Sequence, residues 1–149
     1  MKKTFKIILV IIFFVIIICI LYFNFYRKYI FAVNLNWNLN LPFEDKAVYV
    51  ESLPPSFLGD GPRYAILKYA SKSKIKKLNS IPWISNKNIV IEDEVSKILS
   101  KLEIDDKYMI PFNQEYLYYH CIDKDDKRNH IYMFYFINEG LIYVVEEFW

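Results

Sequence analysis

The feature that most constrains this chain is the run at residues 7–23, "IILVIIFFVIIICILYF", which is apolar without interruption. At 1.5 Å per residue, a helix over that run covers about 26 Å, close to the hydrocarbon thickness of a bilayer. The run has no polar face, so it does not describe a helix lying half-wet on a soluble domain. Lys2, Lys3 and Lys6 precede it, and Arg27 and Lys28 follow. Lys6 can snorkel, while Tyr22, Tyr26 and Tyr29 suit the aromatic belt of an interface. A cleaved secretory signal fits poorly, because the apolar core is long and no small-x-small site follows it. A lipoprotein signal fits no better, since Ile18 stands before Cys19. The expectation is an uncleaved, single-pass anchor over 1–28 that meets the lipid bilayer through residues 5–26. Three lysines before the run against two basic residues behind it tip the N-terminus inside, by a slight margin. Residues 29–149 then form the extracytoplasmic part, enough for one domain with a core and too little for two.

Charge is uneven along that domain. Residues 61–91 carry seven basic side chains and no acid, whereas residues 92–149 carry thirteen acids against six bases. The cysteines add little, because Cys19 falls in the span and Cys121 in a predicted strand, where it reads as a small buried hydrophobe.

Periodicity gives an α+β architecture: a mainly antiparallel sheet with about two helices, following the transmembrane helix. "VNLNWNLNL" (33–41) alternates apolar residues with asparagine and reads as a half-buried strand. Strands are also expected at 47–53 and 63–70. Ser71 or Ser73 can cap a short helix to about Ser80, with Ile75 and Leu78 inward. A second helix is expected over 92–103, with Ile91, Val95, Ile98, Leu99 and Leu102 on one face and Glu92, Asp93 and Glu94 in its first turn. After Pro111 come "EYLYYHCI", "HIYMFYFI" and "LIYVVEEFW". Asn138-Glu139-Gly140 joins the last two as a hairpin. These strands are apolar on both faces, so they are expected in the middle of a sheet with helices covering one side.

Each motif that could carry chemistry has a plainer reading. Gly59-Asp60-Gly61, in "FLGDGPRY", lacks the lysine, the third glycine and the following helix of a phosphate loop, and reads as a structural turn. Asp123, Asp125 and Asp126 lack the glycine and distal glutamate of a calcium loop. If Ile122 lies opposite His130, Cys121 lies opposite Ile131, and the two histidines share one face with Cys121 on the other. That register disfavours a Cys–His dyad, and two histidines without a third ligand make a poor zinc site. No catalytic residue, metal or cofactor is assigned. The tyrosines at 116, 118, 119, 132, 135 and 143 read as core. Lys68, Lys72, Lys74, Lys76 and Lys77 crowd one short stretch and are the candidate contact with an anionic surface.

The set Phe57–Gly61, Trp83, Ile110–Pro111, "YLYYHCID" (116–123) and "FYFINEGLIYVVEE" (134–147) is similar to a family of small, single-anchor membrane proteins of Gram-positive bacteria such as bacilli and clostridia. It departs at Pro55 and Ser56, where the family carries glycines, and at Trp83, which follows a proline rather than leading one. The resemblance implies membrane anchoring and fold, with Gly59 and Gly61 at a turn entering a strand, and it brings no activity with it.

The functional expectation is therefore a non-enzymatic binding domain at the cell envelope. Its partner would be anionic lipid, a wall polymer or a membrane protein; nucleic acid is not expected, since the domain is net acidic. The alternatives are an immunity-type or regulatory protein whose acidic second half meets a protein partner, and a hydrolase using His120 or His130.

Overall fold

The computed structural model describes residues 12–18, 28–54 and 60–149. Residues 12–18 are helical, and Phe13, Phe14 and Ile18 among them are each more than half exposed. The rest of the expected span, 7–11 and 19–23, lies outside the described residues, as do Lys2, Lys3, Lys6, Arg27, Cys19 and Gly59. Among the described residues no helix is long and apolar enough to cross a membrane.

From Tyr29 onward the chain forms α1 (Tyr29–Trp37), β1 (Lys46–Ser52), β2 (Gly61–Lys68), α2 (Lys72–Leu78) and α3 (Ile89–Ser100). A short 3-10 turn (Asp106–Tyr108) leads to β3 (Leu117–Ile122), β4 (His130–Phe136) and β5 (Leu141–Phe148). The five strands make one antiparallel sheet in the order β1-β2-β5-β4-β3. The chain is thus α+β with an antiparallel sheet. Its central strand β5 is buried at every residue from Ile142 to Glu146, which is why its sequence shows no polar alternation.

Helices cover both faces of this sheet, not one side as the sequence suggested. Ala65, Leu67, Ile131, Met133 and Val144 pack under α1 and α2. Tyr64, Ile66, Tyr132, Phe134 and Val145 pack under α3. The chain passes from one face to the other around the outer edge of β3. There the amide of Ile84 donates to the Tyr118 carbonyl at 2.8 Å, and the Tyr118 amide returns a bond to Ile84 at 2.9 Å. That bridge also shields part of an otherwise open sheet edge.

The segment 33–41 is a second correction. It is not a strand: residues up to Trp37 belong to α1, and only every fourth residue is inward. Ile30, Val33, Trp37 and Leu41 are buried, whereas Leu35 is 67% exposed. The asparagines explain the stop. Asn38 takes a left-handed conformation (φ 49°) that asparagine tolerates, ending the helix. Asn34 then clamps the chain as it doubles back, its side-chain amide donating to the Leu41 carbonyl and its oxygen accepting from the Leu41 amide, each at 2.9 Å.

The docking of α1 is closed by a buried carboxylate. Glu146 on β5 is 1% exposed and accepts from Trp37 Nε1 at 2.7 Å and from Tyr29 Oη at 2.8 Å. Burial first, and then the charge of Glu146, hold the Tyr29 phenol well above its ordinary pKa, so it stays a donor. At the helix start, Glu44 Oε1 accepts from the Tyr29 amide at 3.1 Å.

Helix α3 begins three residues before the expected Glu92, because Asn88 Oδ1 caps it by accepting from the Val90 and Ile91 amides. Of the three acids, only Glu92 falls in the first turn, and the helix ends at Ser100 rather than 103. Cys121 is half-buried rather than buried.

Two substitutions test this architecture. Glu146→Ala strands the Tyr29 hydroxyl and the Trp37 indole in a dry site and is expected to cost about 2–4 kcal/mol, read from urea unfolding midpoints. Gly140 turns the β4–β5 hairpin at φ 60°, and an added Cβ would lie 2.4 Å from the Tyr69 carbonyl oxygen. Gly140→Ala is therefore expected to lose about 1–3 kcal/mol by the same measurement.

Candidate functional site

The lysine-rich stretch becomes α2, and its placement is set by Asp45, just before β1. Asp45 Oδ2 accepts from the Ala70 amide at 2.7 Å and the Ser71 amide at 3.1 Å, and Oδ1 pairs with Lys74. Lys74, and then the two amides, lower the Asp45 carboxyl to a pKa of about 2. These contacts replace a side-chain cap, which Ser71 does not supply. At the other end Trp83 Nε1 donates to the Leu78 carbonyl at 2.8 Å and Ser80 Oγ to the Lys77 carbonyl at 2.7 Å. Lys76 and Lys77 sit in the last turn, where the helix dipole favours positive charge. Leu78 points into the core and is fully buried.

The five candidate lysines are not equivalent. Lys74 is held by Asp45, and Lys68 donates to the Glu139 carbonyl. Lys72, Lys76 and Lys77 are exposed, and among the described residues they form no ion pair. Beside them runs a groove of about 530 Å³. One wall is a stripe of α2 and its exit (Ser73, Lys74, Lys77, Ser80), and the other is the clamped segment from Asn40 to Phe43. The sequence pointed to the first wall only. Reading 33–41 as a strand hid the second.

A cavity of about 540 Å³ opens beside the β4–β5 turn between Lys87, Glu115, Tyr135 and Asn138. Among the described residues the buried Tyr135 Oη has no hydrogen-bond partner. Of the turn residues, Gly61 (φ 119°) opens β2, Asp60 precedes it, and Gly59 lies outside the described residues.

The histidines meet as the expected register requires, with Ile122 opposite His130 and Cys121 opposite Ile131. His120 Nε2 and His130 Nδ1 are 3.1 Å apart, and Tyr132 Oη is 3.1 Å from the same His130 nitrogen. The Lys127 carbonyl, 3.1 Å from His130 Nε2, can only accept. It therefore places the His130 proton on Nε2 and leaves Nδ1 to accept from His120 or Tyr132. Neither ring faces Cys121, and among the described residues no group of three His, Cys, Asp or Glu side chains is arranged to hold a metal. Burial, and then the neighbouring His130, lower the pKa of His120, with Glu94 opposing.

Comparison with protein-family models, with curated proteins and with solved structures finds no match to this chain.

Because His120 is favoured neutral in the fold, the unfolded chain takes up its proton first as pH falls below about 6.5. The stability that follows from a neutral His120 is whole above that value and is lost as pH drops toward the lower folded value. Urea midpoints at about pH 7.5 and about pH 5.5 should therefore differ more in the native chain than in His120→Gln.

Proposed function

We propose that this chain is a membrane-anchored, non-enzymatic binding protein of the cell envelope whose α2 surface meets an anionic partner surface. The observation that carries the reading is spatial. The exposed lysines of α2 lie on the same sheet face as α1, the helix that begins directly after the apolar run and its basic flank. The acidic α3, with Glu92, Asp93 and Glu94, packs on the opposite face. A bilayer rich in anionic headgroups attracts the first face and repels the second.

The anchor reading is supported by the helical residues 12–18, where Phe13, Phe14 and Ile18 are more than half exposed among the described residues, and by the length of the run that contains them. Three lysines before the run against Arg27 and Lys28 behind it favour the N-terminus inside and the domain outside the cytoplasm. The alternative partners are an anionic wall polymer or a membrane protein with an acidic surface.

A second reading, a protein-binding or immunity-type role for the acidic face, draws on Ile89 and Val90. They are 78% and 75% exposed at the start of α3, beside its acids.

Two measurements check the proposal. A C-terminal tag on intact cells should be lost to added protease; protection until permeabilisation would place the domain in the cytoplasm. A fragment from Lys28 to Trp149, shown to be folded by circular dichroism, should bind phosphatidylglycerol vesicles, and Lys72, Lys76 and Lys77→Gln together should weaken that binding about 100-fold at low salt. Binding that ignores both the substitutions and salt would remove α2 from the contact.

A further inference from the structure

The groove beside α2 has a chemical character that the surface charge alone does not require. Among the described residues its lining includes two lysines and no acidic side chain. The cavity beside the β4–β5 turn, by contrast, is lined by both Lys87 and Glu115, and a smaller one near the C-terminus by Lys101 with Glu147 and Asp60. Lysine and serine lie on one wall: Ser73 and Lys77, four apart, share a face of α2, and Ser80 follows in the turn at its exit. Leu41, Pro42 and Phe43 form an apolar wall opposite. That wall is rigid: Asn34 clamps Leu41 from both sides, and Tyr69 Oη donates to the Pro42 carbonyl at 3.0 Å. The volume, about 530 Å³, is within the range of small-molecule sites and larger than a bare phosphate needs. The position also suits a lipid. The wall starts three residues after α1, whose nine residues span only about 14 Å from Tyr29.

Resting on the reading of α2 as the contact surface, we infer that this groove holds a phosphodiester headgroup of the glycerophosphate type. The phosphate sits against Lys77, Lys74 and the Ser73 hydroxyl, and its apolar continuation lies along Leu41, Pro42 and Phe43. Among the described residues Lys77 forms no ion pair, whereas Lys74 keeps its bond to Asp45 and has further N–H donors to offer. The headgroup can belong to a bilayer lipid or to a soluble glycerophosphate. The mixed wall favours the lipid.

The test uses the full chain in phosphatidylcholine nanodiscs with and without phosphatidylglycerol, reading acetylation of individual lysines by mass spectrometry. Phosphatidylglycerol should protect Lys77 at least about fivefold more than Lys72 or Lys76. Soluble glycerophosphoglycerol, the same headgroup without chains, separates the sources. Saturable protection of Lys77 by this diester alone assigns the site to the headgroup, and protection only by the lipid assigns it to headgroup and chain together. Ser73→Phe fills the groove without changing any charge and should abolish the selective protection of Lys77 while leaving the weaker, salt-sensitive protection of Lys72 and Lys76. Equal protection of all three lysines, untouched by Ser73→Phe, would overturn the groove and leave the diffuse surface standing. No protection of any of them would overturn both.

Discussion

The carboxylate of Glu146 lies dry in the middle of one sheet face, and the α1 side of the molecule is arranged around it. Its two oxygens are claimed by the first and last residues of α1, Tyr29 and Trp37. A single group thereby sets both the position and the rotation of the helix that follows the apolar run. Apolar contacts supply more of the free energy, since Ile30, Val33 and Trp37 are buried and such side chains contribute about 1.5–3 kcal/mol each. They tolerate sliding, however, and a carboxylate with two donors does not. Buried charge seldom stabilises more than an apolar substitute would. The gain is in geometry: the sheet, and everything mounted on it, stands at a defined angle to the chain entering at Lys28.

That geometry turns a one-dimensional charge pattern into a two-sided surface. The basic helix α2 and the acidic helix α3 are neighbours in sequence, separated only by residues 79–88. They end on opposite faces because the connection wraps the outer edge of β3 through the Ile84–Tyr118 bridge. Strand order adds to this. β2 and β3 are separated by β5 and β4, so the chain must cross the whole sheet between them, and it carries α2 on one side and α3 on the other.

The legible parts of the fold were those decided by local chemistry. Asn138-Glu139-Gly140 marks its hairpin because only glycine takes the positive φ there without strain, and the register that joins the histidines follows from the length of the 123–129 loop. The misread parts were decided at a distance. Residues 33–41 carry a genuine period-two pattern, yet Val33, Trp37 and Leu41 also lie four apart, and the sheet face waiting for them selected the helix. The start of α3 was placed at its acids, which favour a first turn, when the side chain of Asn88 caps it directly. Helices were expected on one side because continuous apolar strands announce burial on both faces without saying what buries them.

The sequence by itself determined a long apolar run, an α+β domain behind it, a C-terminal antiparallel hairpin and a cluster of lysines apart from a cluster of acids. Each of these follows from composition and period within a short window. Only the tertiary structure decided which lysines stay unpaired, because Asp45 reaches Lys74 across 29 residues. It alone paired the α2 stripe with Asn40–Phe43 to make a groove, and brought Glu146 to Tyr29 across 117 residues. Such contacts depend on strand order and on the faces that helices choose, which are set by the burial of the whole chain at once and leave no mark at any one position.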